Sequence, residues 1–189
     1  NIEDRRSFIM NFYISDLHFG HRAVLDFDQR PFFDVQEMDR VLIYSWNNRV
    51  TKNDQVYILG DFAFKNEEPF SWYLKQLAGQ KHLIVGNHDK KLLKDEEAMG
   101  YFVSVDYQLA VTDNQKHLIL SHFPFAEWDG FYRDVYHIYG HIHNKRNDAF
   151  QHMRKYETAL NAGCMINNYC PVSFKELIKN NQIFKEGGD

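Results

Sequence analysis

Residues 55–61 read Gln55-Val56-Tyr57-Ile58-Leu59-Gly60-Asp61, a β-branched and aromatic run that ends on a glycine and an acid. Such a run has the length of a buried strand, and the glycine permits a tight turn into the acid. Similar runs at residues 12–15, 82–85, 117–121 and 135–139 predict four more strands. Between the first two, Val35, Met38, Val41, Leu42 and Trp46 recur at the spacing of one helical face, which predicts a helix over 35–49. A shorter helix is predicted over 69–77, and a closing one over 173–179, after Pro171. The early alternation of strand and helix implies buried, largely parallel strands, and the later strands, with few helices between them, imply a second sheet. The expected fold class is α/β: a two-sheet β-sandwich flanked by helices, in four layers.

The 189 residues are 44% hydrophobic and 16% aromatic, enough for one ordinary core and far from a disordered composition. A formal charge of -4 gives no broad attraction for nucleic-acid backbones, so no extended nucleic-acid surface is expected. The only cysteines, Cys164 and Cys170, argue against a disulfide framework and are expected to be packing thiols in a reducing compartment. No apolar run approaches the roughly 18 residues of a membrane span, and residues 1–10 lack the apolar centre of a signal peptide. A soluble cytoplasmic protein is expected, with one domain over 10–189. Residues 1–9 are read as a dispensable extension and 187–189 as a frayed end. Nothing in the chain specifies an oligomeric state.

Five polar clusters fall at or just past the ends of five apolar runs: Asp16-Leu17-His18, Gly60-Asp61, Gly86-Asn87-His88-Asp89, Ser121-His122 and Gly140-His141-Ile142-His143. Ligands of open α/β sheets bind beyond the carboxyl ends of the strands, where distant residues converge. Two aspartates, four histidines and an asparagine offer oxygen and imidazole nitrogen without thiolate, which suits manganese, iron or zinc rather than a structural Cys site. One ion would be over-supplied, whereas two ions sharing a carboxylate use all seven. On an extended strand, Asp16 and His18 face one ion together only if Leu17 turns away, and the same holds for His141 and His143 around Ile142. Spacing alone does not say which ion each side chain serves.

In that order the clusters resemble the calcineurin-like metallophosphoesterase superfamily. The resemblance runs through residues 12–143. It implies that Asp16, His18, Asp61 and His143 hold one metal and that Asp61, Asn87, His122 and His141 hold the other, with Asp61 shared and manganese favoured. It implies His88 as the catalytic histidine, which stabilises charge on the phosphoryl group or protonates the leaving oxygen. The expected reaction is hydrolysis of a phosphoester by in-line attack of a metal-bridging hydroxide. The expected partner is a small phosphodiester or nucleotide-like substrate. The same core supports a phosphomonoesterase, and a non-catalytic interaction module is the remaining alternative.

Serine/threonine protein phosphatases of that superfamily continue Gly-Asp and Gly-Asn-His with acids and arginines. Here Phe62-Ala63-Phe64 and Asp89-Lys90 stand in those places. A phosphoprotein phosphatase is disfavoured, and the group that orients His88 is left open, with Asp89 a candidate. The chain looks closer to small bacterial and phage phosphoesterases, through Gly20-His21-Arg22, the run Phe27-Asp28-Gln29-Arg30-Pro31-Phe32, Asn161-Ala162-Gly163 and Asn168-Tyr169-Cys170-Pro171-Val172. His21, Arg22 and Arg30 are accordingly expected near the metal face as substrate-binding residues, the arginines gripping phosphate, against the alternative of solvated surface side chains. His21, His82, His117, His137 and His152 are by default expected to be structural or exposed. The aromatic stretch 123–132 is read either as a wall that stacks on a flat group or, slightly favoured, as a plug under a long loop.

Overall fold

The computed structural model describes residues 8–187. The extension expected at 1–9 therefore lies almost wholly outside the described residues, as do Gly188 and Asp189. Phe8 and Ile9, its two described residues, are exposed.

All five predicted strands form, and three more join them. The first sheet contains β1 (Asn11–Ile14), β2 (Gln55–Ile58), β3 (Gln80–Ile84) and β4 (Phe102–Asp106), side by side in that order and all parallel. The second contains β5 (Gln108–Asp113), β6 (Lys116–Ser121), β7 (Tyr136–Tyr139) and β8 (Ala159–Asn161). Here β5 runs antiparallel to β6, and β6, β7 and β8 are parallel. The extra strands escape a periodicity reading for physical reasons. In β4 the valines Val103 and Val105 face solvent while Ser104 turns inward to hydrogen-bond His82. β8 is three residues long, too short to show a period.

Period-2 alternation sorts the strand residues into layers. Phe12, Ile14, Val56, Ile58 and Leu83 pack against Met38, Leu42 and Trp46 of helix α2 (Val35–Asn47) and against Leu74 of α3 (Phe70–Leu74). Tyr13, Tyr57 and Ile84 point the other way and meet Leu118, Leu120, Ile138 and Leu160 between the sheets. Ile119, Tyr139 and Ala159 form the far face of the second sheet, covered by Trp128 and by Phe150 and Met153 of helix α5 (Asp148–Met153). Helices, sheet, sheet and helix make the four expected layers. Two one-turn helices, α1 (Val24–Phe27) and α4 (Glu96–Met99), sit on the α2 side.

Helix α6 (Phe174–Glu186) extends seven residues past the predicted 173–179. Its start is fixed by a capping box between Ser173 and Glu176. Its length was hidden because the buried face carries Asn181 where an apolar residue would mark the helix. Asn181 instead accepts the Asn161 N–H at 2.7 Å and donates to the Asn161 carbonyl at 2.9 Å, tying α6 to β8. Cys164 and Cys170 are buried and unpaired, and no helix among the described residues is long and apolar enough to cross a membrane.

Candidate metal centre

Because β1, β2 and β3 are parallel, and β6 runs parallel to β7, the polar clusters that follow them emerge at one end of the sandwich. The loops leaving β1 and β2 are then stitched together. Asp16, His18 and Phe19 donate their N–H groups to the carbonyls of Gly60, Asp61 and Phe62 at 3.0–3.1 Å. The His141 N–H reaches across from the second sheet to the Asp16 carboxylate at 3.1 Å. At Gly140 there is no room for a Cβ, which would collide with the Ser15 hydroxyl. Gly86 meets the Asp61 carboxylate in the same way.

The expected strand alternation is not how Asp16 and His18 come to face one point. Both lie beyond β1 in the left-handed region, at φ 56° and 52°, and so do Asp61 (54°), His141 (70°) and His143 (53°). Each such residue costs on the order of 1 kcal/mol, a cost that Asp and His bear more readily than other side chains. Five at one site amount to stored strain of the kind that accompanies preorganised function. Leu17 and Ile142 do turn away, into the apolar layers on either side.

The donor atoms of Asp16, His18, Asp61 and His143 all lie within 4.8 Å of one another, as do those of Asp61, His122 and His141. Asp61 belongs to both groups. Its Oδ1 accepts the His88 N–H at 2.9 Å, and its Oδ2 lies 3.6 Å from His18 Nε2 and 3.5 Å from His122 Nε2. Asn87 Oδ1 stands 3.0 Å from His122 Nε2, so it joins the second group. The structure thus brings together all seven side chains proposed as donors.

These residues fit a divalent cation. His122 donates its Nδ1–H to the Leu59 carbonyl and His143 donates its own to Asp28, both at 2.8 Å, which leaves each Nε2 lone pair turned toward the cluster. His143 Nε2 lies 3.2 Å from His18 Nε2 and His122 Nε2 lies 3.0 Å from the Asn87 oxygen, close contacts whose donor is set by the protonation of the imidazoles. Burial, helped by the nearby His143 and Arg30, holds His18 well below the ordinary imidazole range, so it is neutral. Burial also lowers His141, with the neighbouring His122 adding to the effect. At His143 burial opposes charging, but the Asp28 hydrogen bond and the Asp16 and Asp28 carboxylates outweigh it and raise the pKa. Burial pushes the Asp61 carboxyl up, and Asp16 adds to this against the opposing pull of His122.

Arg30 is turned into the protein. Its side chain is fully buried, with Nη2 3.1 Å from Asp28 and 2.8 Å from the Asp16 carbonyl, and Nη1 2.9 Å from the Leu17 carbonyl. It braces the strained loop from within. Asp28, its partner, orients His143 and was missed from sequence. The only hint was an acid and an arginine two residues apart inside the aromatic run from Phe27 to Phe33. Asp28 is held below the usual carboxylate range because the His143 and Arg30 contacts outweigh the effect of burial.

Asp89 is not the partner of His88. It is fully buried and accepts the N–H groups of Asp61, Phe62 and Gly86 at 2.9, 2.9 and 2.7 Å, pinning the loops after β2 and β3 together. Among the described residues no side chain hydrogen-bonds the His88 imidazole, which lies 4.1 Å from the Phe64 ring and 5.5 Å from His18. Arg22 is exposed beside a cleft, and His21 is 7% exposed in the same wall, 5.5 Å from His18. Of the 123–132 stretch, Phe125, Trp128 and Phe131 plug the outer core, while Phe123 is half exposed and packs on His141 at 4.4 Å.

No family model matches the chain. It is 32% identical over 170 residues to an uncharacterized protein of Methanocaldococcus jannaschii, with 89% of each chain covered. It is 28% identical to the gene 66 protein of Mycobacterium phage D29, over 70% of this chain and 78% of that one. Among solved structures, a protein of unknown function from Aquifex aeolicus superposes with a TM-score of 0.70 at 26% identity, covering 91% of this chain and 99% of its own. A relative 32% identical and matched over 89% of each chain settles the family: the chain belongs to the family of that archaeal protein.

Proposed function

We propose that the protein is a dinuclear phosphoesterase acting on a phosphodiester or nucleotide-like substrate. One divalent ion is assigned to Asp16, His18, Asp61 and His143, and a second to Asp61, Asn87, His122 and His141, with manganese favoured. The observation that carries this reading is the position of Asp61, whose Oδ2 lies nearly equidistant from a histidine of each group. When bound, such a pair of cations lowers the pKa of water toward neutrality and offsets charge on a phosphoryl group. The chain's own part is to hold the donors in advance. Asp28 and the Leu59 carbonyl each accept an Nδ1–H and so aim Nε2 of His143 and of His122 at the cluster, and the Asp89 carboxylate holds the Asp61 and Asn87 loops at a fixed separation. His88, with its ring nitrogens uncommitted, is available to donate a proton to a phosphoryl or leaving oxygen.

Equilibrium dialysis against Mn2+ should give two ions per chain, and the loaded protein should hydrolyse bis-aryl phosphates faster than mono-aryl phosphates. One ion per chain would reject the dinuclear reading, and a strong monoester preference would reject the diester one. His88→Ala should lower kcat by about 10²–10⁴-fold with metal content unchanged. A wild-type rate in that variant would remove His88 from the reaction.

A further inference from the structure

A cleft of about 920 Å3 opens beside the metal cluster, bounded by the segment 20–26, the start of α2 and the residues leading into α3. Its junction with the cluster is a set of ring contacts. His21 packs 5.5 Å from His18 and 4.9 Å from Phe64, and Phe64 packs 4.1 Å from His88. The cleft and the candidate centre therefore share a wall. A volume of this size is that of a site for a drug-sized ligand, well beyond what a bare phosphate fills.

Three features describe what fits. First, the lining offers apolar and aromatic surface: Ala23, Leu25, Val35, half-buried Trp72, and Phe33, which is 92% exposed with no core contact to explain it. Second, His21 lines the cleft although it is only 7% exposed, and its ring packs 5.5 Å from His18, which puts an imidazole on the side of the cleft that meets the cluster. Third, Asp26, Asp34, Asp39, Glu67 and Glu68 line the cleft. They outnumber the cations Arg22, Arg40 and Lys65, so the walls accept hydrogen bonds from hydroxyl and amino groups and repel further phosphates.

We infer that this cleft receives the nucleoside-sized, uncharged arm of the phosphoester, and that Phe33 and Trp72 are its specificity-determining residues. The inference rests on the phosphoesterase reading above and refines it. A nucleoside combines a flat ring for the aromatic surface with hydroxyl and amino donors for the carboxylates. A longer nucleic-acid strand would bring additional phosphates against the acids. The substrate class is thus a compact nucleotide ester rather than a polynucleotide.

Isothermal titration of the Mn2+-loaded protein tests this without turnover. Thymidine 5′-monophosphate should bind at least about tenfold more tightly than ribose 5-phosphate or inorganic phosphate, the scale of one base stacked on an aromatic side chain. Phe33→Ala, at a solvent-exposed position where folding is not at stake, and Trp72→Ala should each erode that preference and leave phosphate affinity unchanged. A short single-stranded DNA should bind no better than the mononucleotide. Equal binding of nucleotide and phosphate, variants that keep the preference, or tighter binding of DNA would each overturn the assignment. The phosphoesterase reading fails separately, through absence of turnover on aryl diesters and monoesters alike. Nucleotide preference without turnover would keep the cleft and reject the hydrolase.

Discussion

Asp61→Asn is expected to abolish binding at both proposed metal positions, whereas Asp16→Asn is expected to weaken only one. Asp61 is the one carboxylate present in both donor groups, and its Oδ2 lies within 3.6 Å of His18 on one side and His122 on the other. Loss of an outer-shell partner typically lowers metal affinity about 10–100-fold, and loss of a shared direct donor should exceed that at both positions. Stability should move the other way. Burial raises the folded pKa of Asp61, so its ionised form opposes folding at neutral pH, and a neutral asparagine removes that opposition. The new amide can still accept the His88 N–H and can donate toward an imidazole nitrogen. The metal-free Asp61→Asn variant should therefore melt no lower than the metal-free wild type, while losing the rise in Tm that Mn2+ gives the wild type. Elemental analysis after dialysis, paired with melting curves with and without Mn2+, checks both halves. Retention of two ions in Asp61→Asn would refute the shared-ligand assignment.

The largest effect on stability is expected at Arg30→Met. Arg30 and Asp28 form an ion pair at 3.1 Å with neither side chain exposed, and removal of one member of such a pair typically costs about 3–5 kcal/mol, less here because Asp28 keeps His143 at 2.8 Å and Lys145 at 3.8 Å. Here the guanidinium also satisfies the carbonyls of Asp16 and Leu17, so the loop carrying two proposed ligands loosens as well. Denaturant melts should show the loss directly. The double variant Asp28→Asn/Arg30→Met should recover a substantial part of that stability, since no unpaired charge remains. It should nonetheless bind Mn2+ about 10–100-fold more weakly, because the carboxylate that orients His143 is gone. Wild-type stability in Arg30→Met would show the pair to be energetically idle.

Arg30 also illustrates where residue types alone mislead. An arginine close to an Asp-x-His motif invites a phosphate-gripping role, and nothing in the order of residues reveals that its side chain is buried. Asp89 misleads similarly: its adjacency to His88 suggests a partner, yet three backbone N–H groups, two from the loop after β2 and one from its own loop, already claim it. The donor set itself was readable because each member follows an apolar run, and parallel strands deliver the residues after such runs to one end of a sheet. What residue order conceals is long-range satisfaction of polar groups. Asn161, Asn167 and Asn181 are all buried, and Asn161 donates to the His143 carbonyl at 2.8 Å, a bond that no local pattern announces. The inward Ser104 of β4 is legible only once its bond to His82 is seen.

The left-handed backbone at Asp16, His18, Asp61, His141 and His143 restricts the evolutionary alphabet of this centre before coordination chemistry is considered. Valine, isoleucine and threonine are excluded by sterics at those φ values, while aspartate, asparagine and histidine are tolerated. Exchange among those three should therefore change donor type and charge at this site while leaving the path of the chain intact.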